Sequence, residues 1–191
     1  MIELPKLILA SASPRRAEIL RTVGWPFEAC PVDIDEARHP DESATIYVER
    51  LAQEKAQASV VRRPGVVTVG ADTIVVVDDE ILGKPRDEDD ARRMLRRLGG
   101  RWHQVLTGLA LIAGASSECR VAHETTDVKF AAMREDEIDW YISSGEPLDK
   151  AGAYAIQGLG SRFIEEIRGD YLNVVGLPVR LLYELVTESG Q

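Results

Sequence analysis

The sequence predicts an α/β protein in which helices flank a mixed, twisted sheet. Three observations carry that expectation. Apolar strand-like runs alternate with helical patterns along the whole chain. The 191 residues are 45% hydrophobic and 29% charged, an ordinary globular composition that suits one domain spanning 1–191. No repeat, low-complexity segment or linker interrupts the pattern, and no apolar run approaches the length of a membrane span.

Taken in order, "LPKLILA" reads as a buried first strand. Pro14 suits the first turn of the helix that follows, because its missing N–H costs nothing there. Ile19, Leu20 and Val23 give this helix an apolar face and Gly24 ends it. "PFEACPVDIDE" reads as a second strand ending in carboxylates. A helix follows in "DESATIYVERLAQEKAQASVV": Ser43 can cap it, and Ile46, Val48, Leu51, Ala52 and Ala56 recur at helical spacing. In "GVVTVGADTIVVVDDEILGKP" two β runs, Val66 to Val69 and Ile74 to Val77, flank a Gly-Ala-Asp interruption, and Asp-Asp-Glu can turn the chain. "DEDDARRMLRRLGG" places acids first and arginines last, which matches a helix dipole without any functional demand. "WHQVLTGLALIAG" and "RVAHETTDVKFAAM" read as a hairpin joined through "ASSEC". "EDEIDWYISSGEP" is a short helix, and the glycine-rich "GAYAIQGLG" leads into a strand-like run. "YLNVVGLPVRLLYELVTES" reads as a short strand, then a helix with Pro178 near its start.

The net charge of −9 disfavours nucleic acid as a partner and should repel a free nucleotide, so any phosphate must be held by a local basic cluster. Cys30 and Cys119 lack metal-ligand spacing and are expected to be reduced. The N-terminal "MIELPKLILA" has no secretory pattern, so a cytoplasmic location is expected. Neither a P-loop nor a dinucleotide fingerprint is present: Asp78 stands where the P-loop needs glycine, and Pro85 where it needs Ser or Thr.

A different anion cradle is available at the first helix start. Its backbone N–H groups, the hydroxyls of Ser11 and Ser13, and the guanidinium groups of Arg15 and Arg16 could converge on a phosphate. The same residues also read as an N-cap serine with two solvated arginines. Asp33, Asp35 and Glu36 form a carboxylate group, or a polar turn. Asp72 lies in a strongly apolar β region, where an acid is costly unless paired or metal-bound. Carboxylates of this kind suit Mg²⁺, which also binds substrate phosphates. Lys55 sits beside the apolar stripe of its helix, where a lysine ordinarily snorkels to solvent. Lys84 precedes a proline in a turn. His103 and His123 are lone strand histidines and read as structural.

The motifs "LASASPRRAEIL", "VDIDE", "LAQEKA", "GADTIV", "LGKP", "HQVLTG", "DKAGAYAIQG" and "YLNVVGLP" occur in this order. Together they resemble the Maf family over nearly the whole chain. That resemblance implies a fold related to the inosine triphosphate pyrophosphatases. It implies hydrolysis of a nucleoside triphosphate between the α and β phosphates, dependent on a divalent metal cation, Mg²⁺ or Mn²⁺, and it carries the expectation of a homodimer. By the same resemblance Asp72 matches the proton acceptor, and Ser11, Arg15, Arg16, Glu36, Lys55 and Lys84 match the substrate pocket. Glu36 and Asp72 are expected to hold the metal or orient water, the roles of metal ligand and base being divided among Asp35, Glu36 and Asp72. Arg15, Thr73 and Gln157 match the branch acting on dTTP and UTP. The rival readings are a 7-methyl-GTP or broad house-cleaning enzyme, and a non-hydrolysing nucleotide-binding regulator of cell division. A regulator needs the basic clamp but not Asp72.

Overall fold

The computed structural model describes residues 4–62, 64–113 and 118–188. In chain order the strands and α-helices are β1 (Leu7–Ala10), α1 (Pro14–Thr22), β2 (Phe27–Ala29), α2 (Ala44–Val60), β3 (Val67–Val77), β4 (Glu80–Leu82), α3 (Glu88–Leu98), β5 (Trp102–Ile112), β6 (Cys119–Phe130), α4 (Glu135–Ser143), β7 (Ile164–Arg168), α5 (Tyr171–Val175) and α6 (Val179–Glu188). They gather into two compact units. One comprises Met1–Asp72, Thr107–Glu124 and Gly176–Gln191; the other comprises Thr73–Leu106 and Thr125–Val175. Strands β3, β5 and β6 each contribute to both. The architecture is the expected α/β one, a mixed sheet with helices beside it.

In the first unit β1 is central and every side chain of it is buried. It pairs in parallel with β2 on one side and with β3 on the other. Helix α2 is capped as its sequence asks: the Ser43 hydroxyl accepts from the Ile46 N–H. Its buried stripe is Val48, Leu51, Ala52, Lys55, Ala56 and Ser59. Ile46 does not join it and is 56% exposed, because the 3.6-residue period that aligns the others turns Ile46 outward.

Strand β2 is shorter than expected. Cys30 N–H still reaches the Leu9 carbonyl at 2.9 Å, but Pro31 has no N–H to continue the ladder. Asp33, Asp35 and Glu36 therefore lie in an irregular segment. The Gly-Ala-Asp triplet does not interrupt the β region: β3 runs unbroken through it. Gly70 serves packing instead. A Cβ there would collide with the backbone of Ala52 and Ala56, so its absence lets α2 lie against the strand.

The second unit is organised around Phe130, Tyr141, Leu82, Leu95 and Leu98. Here β4 pairs antiparallel with β3, and β7 with β6. Asp78 and Asp79 turn the β3–β4 hairpin with positive φ. The acidic start of α3 is capped by Asp87, whose carboxylate accepts from Asp90 N–H at 2.8 Å. Residues Tyr171–Val175 form α5 rather than a strand. Asp170 decides this: its carboxylate accepts from Leu172 N–H at 2.7 Å and starts a helical turn.

Strands β5 and β6 are neighbours in the sheet, as expected, but residues 114–117 of the "ASSEC" connection lie outside the described residues. Cys30 and Cys119 are free thiols. Among the described residues no helix is long and apolar enough to cross a membrane.

Candidate functional site

Two of the expected carboxylates of the first unit, Glu36 and Asp72, meet around the ammonium group of Lys55. Lys55 is 9% exposed on the buried stripe of α2, so it does not snorkel to solvent. Its Nζ donates to Asp72 Oδ1 at 2.7 Å and pairs with Glu36 Oε1 at 2.6 Å. Asp72 is itself 9% exposed, at a point on β3 that α2 reaches because Gly70 lacks a side chain. Burial pushes the Asp72 carboxyl above its ordinary range, and the charges of Lys55 and Arg16 pull against that shift.

The start of α1 is built around Ser11 rather than capped by Ser13. Ser13 occupies the N-cap position, but its side chain makes no capping bond. Ser11 Oγ instead accepts from Ser13 N–H at 3.2 Å and from Arg16 Nη1 at 2.9 Å. Arg16 Nε donates to the Gly176 carbonyl at 2.8 Å. Arg16 is therefore buried and anchored, not solvated. Burial lowers its pKa, and the Asp72 charge opposes that. Arg15, its neighbour in the first helical turn, is half-buried.

Glu36 reaches Lys55 from an exposed loop, and that loop is held by residues the sequence did not single out. Tyr47 Oη donates to the Glu36 carbonyl at 2.8 Å, and Arg50 Nη2 donates to the Ala37 carbonyl at 3.0 Å. Arg50 also grips the buried Glu42 carboxylate through Nε at 2.7 Å and Nη2 at 3.0 Å. Arg38 donates to the Glu42 carbonyl. The Arg50 hydrogen bonds pull the Glu42 carboxyl down to about 2. Asp35 turns to its own backbone, accepting from Ala37 N–H at 2.9 Å, and Asp33 is exposed. Of the three carboxylates grouped in sequence, Glu36 is the one that joins the cluster.

Thr73, Lys84 and Gln157 belong to the second unit. Thr73 follows Asp72 in β3 and is half-buried. Lys84 is exposed in a bend between β4 and Pro85, and Gln157 is exposed in the loop before Gly158. His103 is a core histidine, as expected: its Nε2 is bonded to Tyr154 Oη at 2.8 Å, and burial lowers its pKa to about 4. His123 pairs with Glu49 through Nδ1 at 2.8 Å.

Among the described residues no group of three or more His, Cys, Asp or Glu side chains is placed to hold a metal ion. Glu36 and Asp72 nevertheless converge, since both pair with the Lys55 Nζ that stands between them, so an ion held by both would take the place of that ammonium. An all-oxygen pair fits Mg²⁺, which keeps several waters and completes its shell with substrate phosphates. A buried carboxylate among cations, beside a helix start with an anchored guanidinium, can bind an anionic phosphate substrate and take up a proton.

Residues 6–189 match the Maf-like protein family, and the chain belongs to that family. It is 54% identical over 188 residues to the dTTP/UTP pyrophosphatase of Symbiobacterium thermophilum, covering 98% of this chain and 95% of that one. It is 50% identical over 186 residues to the dTTP/UTP pyrophosphatase of Shigella sonnei, covering 96% and 93%. Among solved structures, the Staphylococcus aureus Ham1 protein superposes with a TM-score of 0.52 at 12% identity, covering 96% of this chain and 99% of that one. At that identity the likeness concerns the fold alone.

Proposed function

We propose that this chain is a nucleoside triphosphate pyrophosphatase that hydrolyses dTTP and UTP to the monophosphate and pyrophosphate. The observation that carries this reading is the Asp72 carboxylate, buried and bonded to Lys55. The close relatives named for dTTP and UTP supply the substrate class. Arg15, the N–H groups at the start of α1, and Lys84 bind the triphosphate. Arg16 holds Ser11 in place and balances the charge of Asp72. Water attacks the α phosphorus, its proton passes to Asp72, and the bond from that phosphorus to the bridging oxygen breaks. Pyrophosphate leaves with that oxygen. Glu36 and Asp72 would hold a divalent cation, Mg²⁺ or Mn²⁺, whose charge when bound offsets that of the phosphates. Arg15, Thr73 and Gln157 select the base. The Gln157 carboxamide offers one donor and one acceptor to the uracil or thymine edge. Cytosine carries an amino donor where uracil and thymine carry the O4 acceptor, and an N3 acceptor where they carry N–H, so a carboxamide held in the orientation that suits uracil faces the wrong partner. A cytoplasmic homodimer completes this reading, and light scattering tests the assembly.

The direct test is pyrophosphate release across dTTP, UTP, CTP, GTP and 7-methyl-GTP with Mg²⁺ or Mn²⁺. The expected result is the highest kcat/KM for dTTP and UTP, with CTP lower by roughly tenfold, as one unmatched buried polar group would cost. Preference for CTP or 7-methyl-GTP would defeat the reading.

A further inference from the structure

The Gln157 loop is folded around a carboxylate that nothing above assigns. Glu146 lies just after α4, in a 3-10 turn, Glu146–Asp149. Its Oε2 accepts from Leu159 N–H at 2.9 Å and its Oε1 from Gly160 N–H at 3.0 Å. Tyr141 Oη also donates to Oε1, at 2.8 Å, while accepting from Ala155 N–H at 3.1 Å. Three of the loop's backbone donors thus end on one carboxylate, two directly and one through a buried phenol. Gly158 closes the turn with φ +94°, and a Cβ on it would lie 2.5 Å from Glu146 Oε2. On the N-terminal side Tyr154 is buried and tied to His103. The residues on either side of Gln157 are therefore fixed, while Gln157, Gly158 and Leu159 stay exposed.

Those bonds fill no core at the tip. Their effect is to fix the backbone on either side of the exposed Gln157. We propose that Glu146, with Tyr141, is a positioning residue for base selection: it sets the loop so that Gln157 meets the base in one orientation. This rests on the base-selecting role of Gln157 given under Proposed function. Discrimination by a hydrogen-bonding side chain requires that its donor and acceptor be held in place before the substrate arrives, since a mobile amide can rotate to suit either base.

The test uses the full chain and the nucleotide panel in four forms: wild type, Glu146→Gln, Gln157→Ala and the double variant. Glu146→Gln keeps the side-chain volume but replaces one acceptor oxygen with a donor facing a backbone N–H. The expected result is a loss of about tenfold in the ratio of kcat/KM between the best and worst pyrimidine triphosphates, carried mainly by KM of the preferred one. In the Gln157→Ala background the same change should alter that ratio less than about twofold, because the amide it positions is gone. Tyr141→Phe, which keeps the ring in the core, should act in the same direction. An equal loss for every nucleotide, or effects on the ratio that multiply in the double variant, would overturn the proposal and mark Glu146 as scaffold. A wild type that prefers a purine would instead defeat the pyrimidine reading. The positioning would then be judged by the same four-form cycle on the preferred nucleotide.

Discussion

Asp72 and Glu42 are both buried carboxylates in the first unit, and each is bonded to a cation on α2. Their proton affinities move in opposite directions. Glu42 meets a planar guanidinium edge-on, through two nitrogens of Arg50, and also accepts from His39 N–H at 3.1 Å. Hydrogen bonds to its charged form win, and it falls to about 2. Asp72 meets the point charge of Lys55 through one oxygen, and there burial wins. A carboxylate with both oxygens occupied is committed to the fold. One whose burial outweighs its partners keeps an affinity for a proton and can be used for chemistry.

That contrast can be broken most sharply at Asp72. Asp72→Asn is expected to cost roughly a hundredfold or more in kcat, the usual loss for a general base, while nucleotide binding persists. Steady-state kinetics together with nucleotide titration of the variant check this. Near wild-type turnover would remove Asp72 from the mechanism.

Glu42→Gln should do the reverse, losing stability more than turnover. The expected cost is about 2 kcal/mol, as for a hydrogen-bonded charge deprived of its partner. That corresponds to a fall of roughly 4–8 °C in Tm for a chain of this size. Unchanged melting with a hundredfold loss of turnover would erase the distinction between the two carboxylates. Acid unfolding sharpens the same point. The folded pKa of Glu42 lies below its ordinary value of 4.5, so its stabilisation is full above 4.5 and is lost as pH falls toward about 2. Urea midpoints across that window should decline less steeply in Glu42→Gln than in wild type.

The smallest effect is expected at Tyr47→Phe, which removes the bond to the Glu36 carbonyl. About 1 kcal/mol of stability and a few-fold loss in kcat/KM should follow. A loss of activity approaching that of Asp72→Asn would mean that the Glu36 loop, and not Asp72 alone, sets the rate.

What was legible in advance was local. The Ser43 cap, the charge order of α3 and the buried stripe of α2 depend on residues three or four apart, which a linear pattern records. The family motifs likewise contain Ser11, Arg16, Glu36, Lys55 and Asp72. What the tertiary structure decided involves partners distant along the chain. Lys55 is buried because Asp72, 17 positions away, and Glu36 receive its charge. Arg16 is anchored by a carbonyl 160 positions away. The segment before Glu36 leaves the sheet at Pro31, and Tyr47 and Arg50 then hold it in place. Glu146 gathers N–H groups 13 and 14 positions downstream, and no periodicity marks it. A buried charge or backbone donor must find a partner wherever the fold puts one. Sequence by itself therefore determined most of the elements and the chemistry-bearing residue types, and tertiary structure determined where β2 ends, that β3 runs unbroken and which of those residues share a buried contact.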